Sequence, residues 1–177
     1  MSILKVVRLG HPVIRERSAV LASDEIRSRE IQELIDNMID TMREYDGVGL
    51  AAPQIHVSKE IAVIEVNKNP RYPDAPKVPL TVLINPRLSN LSKKMIESWE
   101  GCLSIPDLRG IVPRSASLVC EALDRKGNNI KLQVDGFFAR VIRHECDHLE
   151  GKVYLDRMVD FSSLTHLAEF NRFWIKE

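Results

Sequence analysis

Cysteine is scarce in this 177-residue chain, and Cys102, Cys120 and Cys146 are an odd set too widely spaced for a disulfide scaffold. A reducing compartment keeps such residues as thiols, so each is a ligand, a nucleophile or core filler. Neither sign of charge is in excess: 25 Lys and Arg balance 25 Asp and Glu, so no global field recruits DNA or an anionic membrane. There is no apolar run near the ~18 residues that span a bilayer and no secretory apolar core at the start of the chain. Internal repeats are also missing. With 44% apolar and 28% charged residues, what remains is a folded chain of one domain's length, read as a single domain over 1–177 in the cytoplasm.

Within 23–44, Ile31, Leu34, Ile35, Met38, Ile39 and Met42 repeat at helical spacing, which predicts an amphipathic helix capped by Ser23 or Ser28. Segments 60–66 and 80–85 are short, rich in Val and Ile, and predict buried strands. Between them Pro70, Pro73, Pro76 and Pro79 predict a surface loop over 67–79 that cannot belong to a central strand. Ser117–Leu123 and 129–134 flank the turn-forming Asp124-Arg125-Lys126-Gly127-Asn128 and predict a hairpin. A second helix is expected over 137–149, stopped by Gly151, and a third over 162–173. The class is α+β: small, mostly antiparallel sheets around a central helix, with an N-terminal amphipathic helix and a C-terminal helix.

That central helix carries His144-Glu145-Cys146-Asp147-His148, an HExxH pattern. Four residues at about 100° each return to within about 40°, so both imidazoles leave one face and can hold one metal. Glu145 stands beside that face, placed to accept a proton from water. A merely solvated charged face is the alternative, but the apolar stripe of Phe137 and Val141 runs onto it.

A third ligand is then required. Cys146 points about 200° away and reads as core, as does Cys120 beside Val119 in a strand. Cys102, in Trp99-Glu100-Gly101-Cys102-Leu103-Ser104 ahead of Pro106, which ends regular pairing, reads equally as a ligand or as a buried thiol. The segment Gly47-Val48-Gly49-Leu50-Ala51-Ala52-Pro53-Gln54 is no phosphate loop; alone it reads as a helix stop followed by a surface Gln.

Together, Gly47 to Gln54, then Glu100-Gly101-Cys102-Leu103-Ser104, then His144 to His148 resemble the three signature motifs of the peptide deformylase family. Leu9-Gly10-His11-Pro12-Val13-Ile14-Arg15 is similar to that family's N-terminal segment, so the likeness runs from near residue 5 to about 158. The resemblance implies a metal-dependent hydrolase that removes the N-formyl group from the N-terminal methionine of newly made peptides and releases formate, in a bacterial cytoplasm. It implies that Cys102, His144 and His148 bind one divalent metal, Fe²⁺ in the cell, with Zn²⁺, Ni²⁺ or Co²⁺ able to replace it in preparations. Glu145 is then the base that activates water, and the Gln54 amide with the Leu103 backbone N–H steadies the oxyanion. Methionine would enter a slot between Phe137 and Val141 on one side and Gly47, Val48 and Leu103 on the other, with extended peptide along Gly49.

Arg140 departs from the aliphatic residue expected there, and Ser98 from the more apolar residue that many relatives carry. Arg109 reads as a solvated charge, with a contact to the distal peptide as the other reading. The partners expected are N-formylmethionyl nascent peptides; docking on the ribosome stays open, because the C-terminal segment lacks a basic tail. The rival enzyme is a zinc peptidase with a downstream third ligand, for which His166, expected on the last helix, is the only later histidine. A non-catalytic metal-binding module is the rival outside enzymes.

Overall fold

The structure is a computed structural model that describes residues 2–175. In chain order its elements are α1 (Arg29–Glu44), β1 (Gly49–Ala51), β2 (Ile61–Val66), β3 (Val78–Ser89), β4 (Met95–Cys102), β5 (Ile105–Ser115), β6 (Ser117–Leu123), β7 (Asn129–Asp135), α2 (Gly136–Leu149), β8 (Thr165–His166) and α3 (Leu167–Phe173), with short 3-10 turns between. The class is α+β. One sheet has the order β1-β2-β3-β6-β7 and the other β4-β5-β8, all neighbours antiparallel.

β2 explains the layering. Its residues alternate between two faces, as any strand's do. Ile61 and Val63 join Ile35, Met38 and Met42 of α1 in one core, while Ala62 and Ile64 join Ala139, Ile142 and Cys146 of α2 in another. A strand covered on both faces reads as a continuous apolar run, which is what Ile61-Ala62-Val63-Ile64 is. A third cluster, with Val7, Ile14, Ile105, Val112 and Tyr154, lies against the second sheet. The β6–β7 hairpin pairs from Leu123–Asn129 to Ser117–Asp135, and the Asp124 carboxylate closes its turn by accepting the N–H groups of Lys126 and Asn128.

Several sequence expectations need correction. α1 starts at Arg29, because Ser28 Oγ accepts the Ile31 N–H at 3.3 Å, whereas 23–28 form turns. Pro79 falls inside β3, a central strand, but β6 pairs with β3 only from Ile84 onward, so Pro79 has a free flank. β4 and β5 were not expected. Pro106 interrupts their pairing without ending it: Cys102 pairs with Ile105 and Glu100 with Gly110, leaving four residues opposite Gly101. The C-terminal helix is shorter than 162–173, since Thr165 and His166 pair with Arg109 and Leu108 of β5, and His166 caps α3. Among the described residues no helix is long and apolar enough to cross a membrane.

Candidate active site

Cys102 closes β4, and the turn after it brings the Ser104 N–H to the Cys102 sulfur at 3.4 Å. Gln54 arrives on the 3-10 turn Ala52–Ile55. Its Oε1 accepts the Ala51 N–H at 2.8 Å, so Nε2 faces Cys102 Sγ at 3.4 Å and Ser104 Oγ at 3.3 Å. Gln54 is therefore buried, and the surface reading of it is wrong. From α2, His148 Nε2 stands 3.2 Å from the same sulfur. One donor atom each from Cys102, His144 and His148 lie within 4.8 Å of one another, a group able to hold a metal ion.

Both imidazoles leave one face of α2, as their spacing requires. His144 donates through Nδ1 to Glu100 Oε2 at 2.8 Å, which leaves its other ring nitrogen for a ligand. Glu100 also takes a two-pronged bond from Arg114, at 2.8 and 2.9 Å, and Arg114 reaches Asp147 at 2.5 Å. Arg157 completes the chain by donating to Asp147 at 2.6 Å. Burial alone would raise the Glu100 carboxyl; Arg114 and His144 overcome it and hold it at about 2. The Cys102 thiol is likewise held well below its ordinary range, burial being outweighed by the His148 and His144 rings. A thiolate with two imidazoles suits a first-row divalent cation, so the residues present fit the expected metal.

Glu145 lies apart from this network. Its carboxylate passes over Gly49 so closely that a Cβ there would overlap it, so any larger residue at that point of β1 would push the Glu145 side chain from its place. Its Oε2 is buried without a partner, and burial pushes the acid up to about 7.

These groups open into a cleft of about 470 Å³. Gly47, Val48, Gly49, Gln54, Cys102, Leu103, Phe137, Val141, His144 and Glu145 all border it. His148 is fully buried behind the cleft. Trp99 rather than Ser98 reaches the cleft, and Arg140 borders it with its guanidinium 4.8 Å above the Phe137 ring. Arg109 is not solvated: only 6% exposed, it packs where a Cβ on Gly101 would be. Cys120 and Cys146 sit in the core beside β2, where burial raises both thiols, Cys120 to about 11.

The polypeptide deformylase family model matches residues 3–163. The chain belongs to the peptide deformylase family. Members remove the N-formyl group from nascent peptides, and that hydrolysis, a step of protein biosynthesis, is the activity of this enzyme. Peptide deformylase 1 of Nitrosomonas europaea is 46% identical over 155 residues, 88% of this chain and 87% of the relative. The class I type b peptide deformylase of Acinetobacter baumannii, solved with Met-Ala-Ser bound, superposes with a TM-score of 0.86 at 37% identity, covering 89% of this chain and 99% of that one. The Thermotoga maritima peptide deformylase gives 0.80 at 29% identity, covering 90% and 100%.

β8 and α3 lie beyond the stretch that the deformylase family model matches, yet α3 reaches the wall of the cleft. Phe170 of α3, and Trp174 just after it, pack on Trp99 at ring distances of 5.0 and 5.3 Å. Sequence reasoning missed the roles of Glu100, Ser104, Arg114, Asp147 and Arg157. Glu100 and Asp147 were in view inside the motifs, but nothing local marked Arg114 or Arg157 as their partners.

Proposed function

We propose that this peptide deformylase works in a bacterial cytoplasm as a single domain over 1–177, with α2 as its central helix. Cys102, His144 and His148 would hold the metal, Fe²⁺ in the cell, with Zn²⁺, Ni²⁺ or Co²⁺ able to stand in. When bound, such a cation supplies Lewis acidity that makes water nucleophilic near neutral pH. Glu145 takes the proton from that water and returns it to the departing amine nitrogen of methionine. Its partnerless buried oxygen and its acid held near 7 suit a group that gives and takes a proton at neutral pH. As the formyl oxygen gains charge, the Gln54 Nε2 and the Leu103 backbone N–H donate to it. Gln54 is ready for this because Ala51 fixes its amide orientation.

The methionine side chain occupies the slot between Phe137 and Val141 and the Gly47, Val48 and Leu103 side, and the peptide runs extended along Gly49. That a relative binds Met-Ala-Ser supports a peptide of this kind as ligand. The observation that carries the reading is the meeting of the Cys102 sulfur with His148, 46 residues away, next to an unpaired buried Glu145. The test compares formyl-Met-Ala-Ser with acetyl-Met-Ala-Ser. Formate and free amine are expected from the first alone; internal cleavage would point to a peptidase, and no product from either to a module without catalysis.

A further inference from the structure

Tyr154 takes no part in the chemistry described above, yet it lies against one of the three candidate ligands. It opens the 3-10 turn Tyr154–Arg157, is 1% exposed, and belongs to the core cluster that also holds Cys102 and Ile14. Its ring runs nearly parallel to that of His144, with 17° between the planes and 6.4 Å between the centres, within the range of offset stacking. The other neighbours of His144 act differently: Glu100 takes its Nδ1, and the His148 ring stands at 77° to it.

A hydrogen bond at one ring nitrogen leaves an imidazole free to rock about that bond, whereas a metal is bound along a lone pair lying in the ring plane. Rocking carries the lone pair off the ion. A parallel ring in a packed core opposes it, because a tilt drives one edge into the neighbour.

The turn that presents Tyr154 is itself tied down. The Val153 N–H donates to the Asp156 carboxylate at 2.8 Å, Arg15 pairs with that same carboxylate, and Arg157 donates to Asp147 of α2. The Arg15 carbonyl lies so close to Gly151 that a Cβ there would overlap it, so the N-terminal segment holds the turn against the end of α2. The Tyr154 hydroxyl, by contrast, is buried with no hydrogen-bond partner among the described residues, a cost that phenylalanine would avoid. The ring face, not the hydroxyl, is what meets His144.

We propose that Tyr154 is a positioning residue of the metal centre, its ring holding the plane of His144 so that the free ring nitrogen stays aimed at the cation. The inference rests on Cys102, His144 and His148 being the metal ligands, as read above.

The experiment uses the full chain loaded with Co²⁺, whose visible bands and thiolate charge-transfer band report the geometry around the ion. Tyr154→Phe should match the parent in Co²⁺ affinity, bands and kcat, with an equal or higher Tm. Tyr154→Met and Tyr154→Leu, which fill the space without a flat face, should bind Co²⁺ about three- to tenfold more weakly, shift the visible bands, and lower kcat for formyl-Met-Ala-Ser with KM unchanged. Val153→Ala, in the same cluster, lowers Tm as well and should leave affinity and bands as in the parent. Parent-like affinity and bands in whichever of the Met and Leu variants folds would overturn the role. So would an equal loss in Tyr154→Phe, which would move the effect to the hydroxyl, or in Val153→Ala, which would reduce it to general loosening. A parent that binds Co²⁺ without a thiolate band would remove the ligand reading itself, and the role of Tyr154 with it.

Discussion

Two buried carboxylates sit two residues apart on α2 and live in opposite circumstances. Asp147 faces the side of the helix where Arg114 and Arg157 saturate it, and although burial would raise its acid, those partners lower it below the ordinary range. Glu145 faces the cleft with one oxygen unpartnered, and burial raises it to about 7. Residue type is nearly the same and depth nearly equal; the difference is the partner supply. A carboxylate with all its acceptors engaged cannot readily move a proton, whereas one deprived of donors can. The helix thus divides labour between a side that fixes geometry and a side that reacts.

The sharpest way to break this division is Glu145→Gln. Turnover measured by formate release should fall by about 10²- to 10⁴-fold while metal content and thermal stability hold. Near-normal kcat would move the base elsewhere. Next comes Gln54→Leu, again on the cleft side, expected to cost about 10²- to 10³-fold in kcat with metal retained. An unchanged kcat would deny the amide its place on the oxyanion.

The engaged side should respond differently. Glu100→Gln weakens the partner that orients His144, so metal affinity, titrated with a competing chelator, should drop by about 10- to 100-fold. The same variant tests linkage. The folded-state acid of Glu100 is held at about 2 against an ordinary 4.5, so its contribution to stability is complete above about pH 5 and is lost as the pH falls toward 2. In Glu100→Gln the Tm should therefore decline less steeply over that acid range. A decline as steep as that of the parent would mean that other groups set it.

The legible parts of the molecule are those governed by local geometry. His144 and His148 share a face because 3.6 residues make a turn, and α1 and the β6–β7 hairpin follow from spacing and from a turn rich in Asp, Gly and Asn. Cys102 is different: its own surroundings allow either a ligand or a core thiol, and only its likeness to a family motif favoured the first. The Glu100–Arg114 pair depends on the register of β4 against β5, which slips at Gly101, and Pro106, read as the end of regular pairing, hid that hairpin. Arg109 was misjudged because arginine is usually exposed; its burial comes from Gly101 leaving room and from Phe170 arriving on a helix that pairing with β5 shortened and redirected.

Trp99 and Trp174 are the only tryptophans in the chain, and they touch each other beside the cleft. Ultraviolet emission from the whole protein therefore originates at one wall of the reaction chamber. An arriving peptide changes the polarity around that wall, so a label-free optical signal for occupancy is already built into the molecule.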